Sequence, residues 1–311
     1  MTASLRVAVI GVGHLGRHHA RILSGLAGAQ LVAVVDTNEA RAVETAARHD
    51  TRALTDCRDA LGDVDAVTVA VPTESHLEVA RPFLERGIPV LVEKPMARSQ
   101  READALLAAA AAGGTFVAVG HTERYNPAVQ AALPLVTTPR FVEVHRLGVF
   151  PERSLDIDVV FDLMIHDLDI VSALVPSPVA SLEAVGVPVL TSRVDIANVR
   201  LRFESGCIAN LTASRISRDR VRKIRFFQPD AYISIDYAAK EVEAYRLSRP
   251  PGERPVIEGG KLSVSQEEPL ALELADFIAA VRDGRPPMVT GEDGRRAVAL
   301  AEQIAHEIGG D

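Results

Sequence analysis

The stretch "LRVAVIGVGHLG", residues 5–16, decides the fold. Its first six residues are mostly apolar and read as a strand. A glycine-rich turn follows, and residues 14–27 then carry a helical pattern. Gly11, Gly13 and Gly16 stand as G-x-G-x-x-G between strand and helix, the context that gives this spacing meaning. The first glycine permits a tight turn and the second lets a pyrophosphate approach the backbone. The third lets helix and strand pack closely. His14 and Leu15 share the turn. A helix starting here offers free N–H groups and the positive end of its dipole to phosphates.

Working outward, "LVAVVD" is a second strand, and Asp36 ends it 20 residues after Gly16. A carboxylate there accepts hydrogen bonds from the adenosine ribose and repels a 2′-phosphate, so NAD is expected ahead of NADP. Arg41 lies nearby and weakens that preference. Short apolar runs and helical patterns alternate to about residue 121: "VDAVTVAVP", "IPVLVEKP" and "TFVAVGH" are strands, with helices between them. Strands apolar on both faces and joined by helices indicate a parallel sheet covered on both sides, a Rossmann domain over 1–121. Beyond it the rhythm changes. "PRFVEVHRLGVF", "IANVRLRFESGCIANLTASR" and "VRKIRFFQPDAYISIDY" suggest a large open, mainly antiparallel sheet with a hairpin at Ser205 and Gly206. One helix, over roughly 158–174, interrupts these strands. Residues 122–267 are thus expected to form an α+β domain, and 268–311 two closing helices.

Composition narrows the function. The 311 residues are 47% hydrophobic and 24% charged, an ordinary globular balance. The net charge of −8 argues against a general nucleic-acid binder. Cys57 and Cys207 form no CxxC pair and read as free thiols, and no metal-ligand spacing stands out. With neither a basic n-region nor an 18-residue apolar run, a cytoplasmic protein without membrane contact is expected.

Three further stretches carry chemistry. "AVPTESH", residues 70–76, ends a parallel strand, where loops line the ligand crevice, so Pro72, Thr73 and His76 are candidates to border the cofactor. A place on the helix surface is the plain alternative for His76. "EKP" follows the next strand. Lys94 there can hydrogen-bond a substrate hydroxyl and stabilise developing negative charge on oxygen. Pro95 restricts Lys94 to extended conformations. Glu93 either orients Lys94 or borders the nicotinamide. In "FDLMIHDLD", Asp162 and His166 are spaced i and i+4, which on a helix puts them on one face. A carboxylate one turn before a histidine can orient the ring as a general base.

G-x-G-x-x-G near the N-terminus, "EKP" at residue 94 and D-x-x-x-H in the second domain, in this order, resemble the Gfo/Idh/MocA oxidoreductases. The closing "EPLALELADFIAAVRDGRPPMVTGEDGRRAVALAEQIA" is similar to that family's C-terminal segment. The resemblance implies catalytic roles for Lys94, Asp162 and His166. It also implies C-terminal helices packed back on the Rossmann domain and a homodimer or homotetramer formed through the open sheet. "GHTERYNPAV" with "VVFDLMIHDLDIV" looks like the branch that includes UDP-N-acetylglucosamine 3-dehydrogenases, which serve lipid A biosynthesis. In this reading His121, Arg124, Tyr125 and Asn126 touch the sugar or nicotinamide, and Arg146 and Arg153 meet the diphosphate. Asn126-Pro127 also reads as a plain helix start. The basic run "RISRDRVRKIR", residues 215–225, reads as a solvated or intersubunit face, and His18 and His19 as structural. A dehydrogenase of a free polyol or monosaccharide, an NAD-retaining glycosidase and a non-catalytic sensor are the alternative functions.

Overall fold

Strands β1 (Leu5–Ile10), β2 (Ala29–Val35), β3 (Arg52–Leu54), β4 (Ala66–Val69), β5 (Val90–Glu93) and β6 (Val117–Gly120) pair in parallel in the order β3-β2-β1-β4-β5-β6. The computed structural model describes residues 4–150, 157–250 and 253–309. Every residue of β4, β5 and β6 is buried, as expected for strands covered on both faces. Helices α1 (Gly16–Leu23), α2 (Glu39–His49), α3 (His76–Leu84) and α4 (Gln100–Gly113) join them. Asn38 caps α2 by accepting the Arg41 N–H at 3.1 Å, and Ser99 caps α4 through the Glu102 N–H at 3.3 Å. The strand order reverses between β1 and β4. That reversal opens a crevice at the carboxyl ends of these strands, beside Gly11, Pro72 and Lys94.

The second sheet holds β7 (Phe141–Leu147), β8 (Val179–Val187), β9 (Ile196–Phe203), β10 (Ile208–Ser214), β11 (Val221–Phe227), β12 (Ala231–Asp236), β13 (Glu241–Ser248) and β14 (Val256–Lys261). Their order is β14-β13-β12-β11-β7-β10-β9-β8, with only β7 and β10 parallel. Burial alternates along the strands: Ala197, Val199, Leu201 and Phe203 of β9 face inward with Ala209, Leu211 and Ala213 of β10. On β11 to β13, Phe227, Tyr232 and Tyr245 form a row with centroids 5.3 and 6.3 Å apart. The fold is therefore the expected pairing of a Rossmann sheet with a mainly antiparallel one. One detail differs. The helix expected over 158–174 begins as a π-helical turn, Val160–Met164, and becomes α6 at Ile165–Leu174. The short helix α5, Pro127–Ala132, begins at the helix start that Asn126-Pro127 suggests.

Helices α7 (Pro269–Asp283) and α8 (Gly291–Gly309) close the chain. Leu274, Phe277 and Ile278 of α7 share one core with Val7, Val9, Leu23, Leu31 and Val34. Burying a side chain such as Phe277 stabilises that union by roughly 1.5–3 kcal/mol. The chain divides into two compact units. One runs through Thr122 and includes Glu268–Val298; the other is Glu123–Glu267 with the chain from Ala299. The second division falls inside α8, where the sequence offers no break.

Arg215 is wholly buried, although the sequence reading counted it in a solvated run. It pairs with Asp195 at 3.2 Å, and its Nη2 donates to the carbonyls of Ile157 and Val194. Its position explains this: Arg215 follows the inward-facing Ala213 by two residues. Asp195 accepts the backbone N–H groups of Val189, Leu190 and Thr191 at 2.9, 2.6 and 2.8 Å. Burial alone would raise the Asp195 carboxyl, but these donors and the Thr191 hydroxyl hold it down to about 2, from an ordinary 3.8. Its stabilising contribution is whole above pH 3.8 and is lost as pH falls through about 2. Asp195→Asn is expected to cost about 3–5 kcal/mol at neutral pH, because it also leaves the buried Arg215 without its carboxylate. In denaturant melts the gap between variant and parent should narrow as pH drops from 4 toward 2.

Candidate active site

The glycine turn is explained in two parts. Gly11 has φ +84°, and a Cβ there would lie 2.7 Å from the Ala70 carbonyl oxygen. A Cβ on Gly16 would lie 1.7 Å from the Gly11 oxygen. The chain itself thus demands both glycines. At Gly13 the nearest group is Arg41 Nη1 at 4.0 Å, so a Cβ would meet open space. That space is where a pyrophosphate approaches the backbone. The N-terminus of α1, at Leu15, has no side-chain cap; the Arg17 and His18 N–H groups turn back to the carbonyls of Gly13 and Leu15, and the positive end of the helix dipole is what it offers an anion. His14 lies beside the Arg17 guanidinium at 3.3 Å. Asp36 ends the site: it accepts the N–H groups of Val12 and Asn38 at 3.1 and 2.9 Å and pairs with Arg41 at 3.2 Å. Pro72 and the half-buried Thr73 stand in the loop after β4. These residues fit a dinucleotide.

One strand further, β5 delivers Glu93, Lys94 and a cis Lys94–Pro95 bond. Lys94 is half-buried, whereas Glu93 is only 6% exposed. Its Oε1 lies 2.8 Å from His19 Nε2, and its Oε2 accepts the Lys94 N–H at 3.3 Å. Burial would raise the Glu93 carboxyl. The His19 hydrogen bond and charge, with Lys94, outweigh it and hold the group below its usual range. Gly120 on β6 makes the room: a Cβ there would lie 3.1 Å from the Glu93 carboxyl. Glu273 of α7 is completely buried, and burial followed by the Glu93 charge pushes its carboxyl well up.

His76 is buried at 1% exposure and lies neither on the helix surface nor open to the cofactor. Its Nε2 faces the Val71 carbonyl at 3.0 Å, and its Nδ1 faces those of Pro95 and Met96 at 3.1 and 3.3 Å. His19, His76, Gly120 and Glu273 form a buried layer under the lysine that the sequence reading did not anticipate. A signal existed for His19: it lies three residues after Gly16, on the side of α1 that faces the sheet.

In the second unit, Asp162 sits in the π-helical turn and His166 in the first turn of α6, both half-buried. Such turns recur at functional sites. The two neighbouring aspartates face elsewhere. Asp167 is gripped by Arg146, with Nε to Oδ2 at 2.6 Å and Nη2 to Oδ1 at 2.9 Å, and Asp169 pairs with Arg124 at 3.3 Å. This corrects the expectation for Arg146. Its guanidinium is 4% exposed, also pairs with Glu123 at 3.2 Å and lies 5.4 Å over the Tyr237 ring. A diphosphate finds no free cation there. Arg146 shares its strand parity with the inward Val142 and Val144, a signal present in the sequence.

Asn126 is likewise a cap. It accepts the Ala128 N–H at 3.1 Å and donates to Glu123 and to the Tyr237 carbonyl. His121 and Tyr125 are buried. Arg153 lies outside the described residues. Among the described residues no cluster of His, Cys, Asp or Glu is arranged to hold a metal ion, and no helix is long and apolar enough to cross a membrane.

Comparison with known families agrees with this geometry. Residues 5–121 match the model of an oxidoreductase family with an NAD-binding Rossmann fold, and residues 138–232 match the GFO/IDH/MocA C-terminal domain. The chain belongs to the Gfo/Idh/MocA oxidoreductases. This oxidoreductase is 38% identical over 304 residues to the UDP-N-acetylglucosamine 3-dehydrogenase of Acidithiobacillus ferrooxidans, covering 96% of each chain. A solved structure of the dehydrogenase of that name from the same organism superposes with a TM-score of 0.92 at 36% identity, covering 99% of each chain. An inositol 2-dehydrogenase of Rhizobium meliloti is 25% identical over 98% of this chain and 97% of its own.

In this Gfo/Idh/MocA enzyme the Arg146–Asp167 pair is wholly enclosed, so each ion depends on the other. Burial would lower the Arg146 pKa, but the charges of Asp167 and Glu123 reverse that and raise it. At Asp167 burial outweighs Arg146 and raises the carboxyl, yet the two-pronged contact at 2.6 and 2.9 Å is that of an ion pair. Asp167→Asn is expected to destabilise the fold by about 3–5 kcal/mol, because it removes the principal partner of a buried cation. Replacing both partners at once, Arg146→Met with Asp167→Leu, should cost less. Urea unfolding of the three variants checks both statements.

Proposed function

We propose that this oxidoreductase uses NAD to oxidise the 3-hydroxyl of a UDP-N-acetylhexosamine to a ketone. Near-full-length similarity to the UDP-N-acetylglucosamine 3-dehydrogenase carries the reading. Gly11, Gly13, Gly16 and the N-terminus of α1 hold the pyrophosphate, and Asp36 takes the ribose hydroxyls. Nicotinamide, when bound, supplies the acceptor for the hydride that leaves the carbinol carbon. Lys94 Nζ donates to the substrate oxygen and stabilises the negative charge that develops on it. A His166 ring nitrogen takes the hydroxyl proton, and Asp162 orients the ring and favours its protonated form. Arg124 borders the sugar. Arg153 is the cation assigned to the diphosphate, since Arg146 is committed to Asp167. The face of the second sheet that bears Phe227, Tyr232 and Tyr245 is the surface assigned to pairing between copies, as dimer or tetramer. A free polyol is the second reading, favoured by the similarity to an inositol 2-dehydrogenase.

NADH formation against a panel of UDP-sugars and polyols tests the proposal. Turnover of UDP-N-acetylglucosamine supports it, and turnover of inositol with no UDP-sugar rejects it. Lys94→Ala and His166→Ala should each lower kcat by about 10²–10⁴-fold while NAD still binds. Asp36 already carries Arg41 beside it, a guanidinium able to meet a 2′-phosphate. Asp36→Ala should therefore shift kcat/KM from NAD toward NADP by about tenfold or more, as losing one charged hydrogen bond implies.

A further inference from the structure

We propose that His19 and His76 are positioning residues for Lys94, clamping the backbone on either side of it; this rests on the reading of Lys94 as the group that meets the substrate oxygen. A lysine ammonium rides on a flexible four-carbon stem, so its aim depends on how firmly its backbone is held. Two buried imidazoles supply that hold. Ahead of Lys94, the Glu93 carboxylate accepts from His19 Nε2 at 2.8 Å and from the Lys94 N–H at 3.3 Å. A carboxylate only accepts, so His19 Nε2 carries the hydrogen. Behind Lys94, the carbonyls of Pro95 and Met96 face His76 Nδ1, and the ring's other nitrogen faces Val71 O at 3.0 Å. Burial favours the neutral His76 ring, which donates through one nitrogen only. That hydrogen belongs on Nδ1, which two carbonyls of the lysine loop face.

The two rings come from different helices, His19 from α1 and His76 from the start of α3. The titratable groups around Glu93 are His19 from α1, His76 from α3, Lys94 just after β5 and Glu273 from α7, with Asp276 beside Glu273. Glu273 is completely buried next to the Glu93 charge, which favours its neutral form, so His19 is the side chain that answers the Glu93 carboxylate from below. A side chain that served packing alone would need none of these polar contacts. Reactive groups must be held within about 0.5 Å of a productive geometry by neighbours of this kind.

The experiment is a double-mutant cycle on the full chain. His19→Ala is expected to lower kcat about 10- to 100-fold, the loss that a small misplacement produces. KM for the sugar and the NAD dissociation constant should change less than about twofold, because no ground-state contact is removed. His19→Gln should recover much of kcat, since its amide N–H can reach Glu93. Adding His19→Ala to Lys94→Ala should cost nothing more, since the histidine acts through the lysine. Amide hydrogen exchange in residues 93–97 of the unloaded protein should rise in His19→Ala and His76→Ala. Full kcat in His19→Ala, losses that multiply in the double variant, or unchanged exchange in 93–97 would each overturn the proposal. Should His19→Ala fail to fold, the Gln variant and its combination with Lys94→Ala carry the same test, and kcat losses that multiply there overturn it. If Lys94→Ala retains full kcat, the assignment of Lys94 fails, and the exchange measurement then decides separately whether the histidines hold the loop.

Discussion

A carboxylate buried at the end of a strand sets the terms for everything around Lys94. Removing a charge from water is expensive unless donors surround it. Glu93 meets that condition with a histidine on one oxygen and the lysine's own N–H on the other. The arrangement explains scattered residues that share no motif. Gly120 has no side chain because the Glu93 carboxyl lies against it. His19 sits on the sheet-facing side of α1. Glu273 of α7 lies buried near that charge, which favours its neutral form. The charge that looked least explained beside the lysine is the one that organises its surroundings.

The helix bearing Asp162 and His166 is anchored by related means. Of the four polar residues in "DLMIHDLD", Asp162 and His166 remain half-buried, while Asp167 is paired with the buried Arg146 and Asp169 with the half-buried Arg124. Two arginines from different elements thus fix how the helix is rotated, which decides what the first pair presents. The widened π-helical turn around Asp162 adds a local departure from α geometry, of a kind that recurs at functional sites. In both units the residue proposed to meet substrate stands beside a buried ion pair, Glu93 with His19 in one and Asp167 with Arg146 in the other.

Much of this was legible in the sequence. The glycine spacing, its place between strand and helix, and Asp36 at the end of β2 defined the first sheet and its ligand end. The outcome for Gly13 is the clearest case, since its openness has no structural reason within the chain. Charged residues on inward positions were harder. Arg146 and Arg215 looked available because arginine is usually solvated, yet strand parity with Val142, Val144 and Ala213 points both inward. Asn126-Pro127 reads as a helix start in the sequence, and Asn126 caps α5 as that pattern implies. His76 faces the backbone carbonyls of Val71, Pro95 and Met96, and a sequence pattern does not show which backbone group a side chain will reach. Glu273 has no sequence signal, and the structural reading of His19 does not name its partner, because Glu93 lies far away in the chain.

The central claim is that this oxidoreductase removes hydrogen from the sugar carbon that bears the 3-hydroxyl. UDP-N-acetylglucosamine deuterated at C3 tests this directly, with the reduced cofactor isolated and examined by proton NMR. The account predicts one deuterium at C4 of the nicotinamide for each ketone formed. Reduced cofactor without deuterium, or loss of substrate with no reduced cofactor at any time, would contradict it.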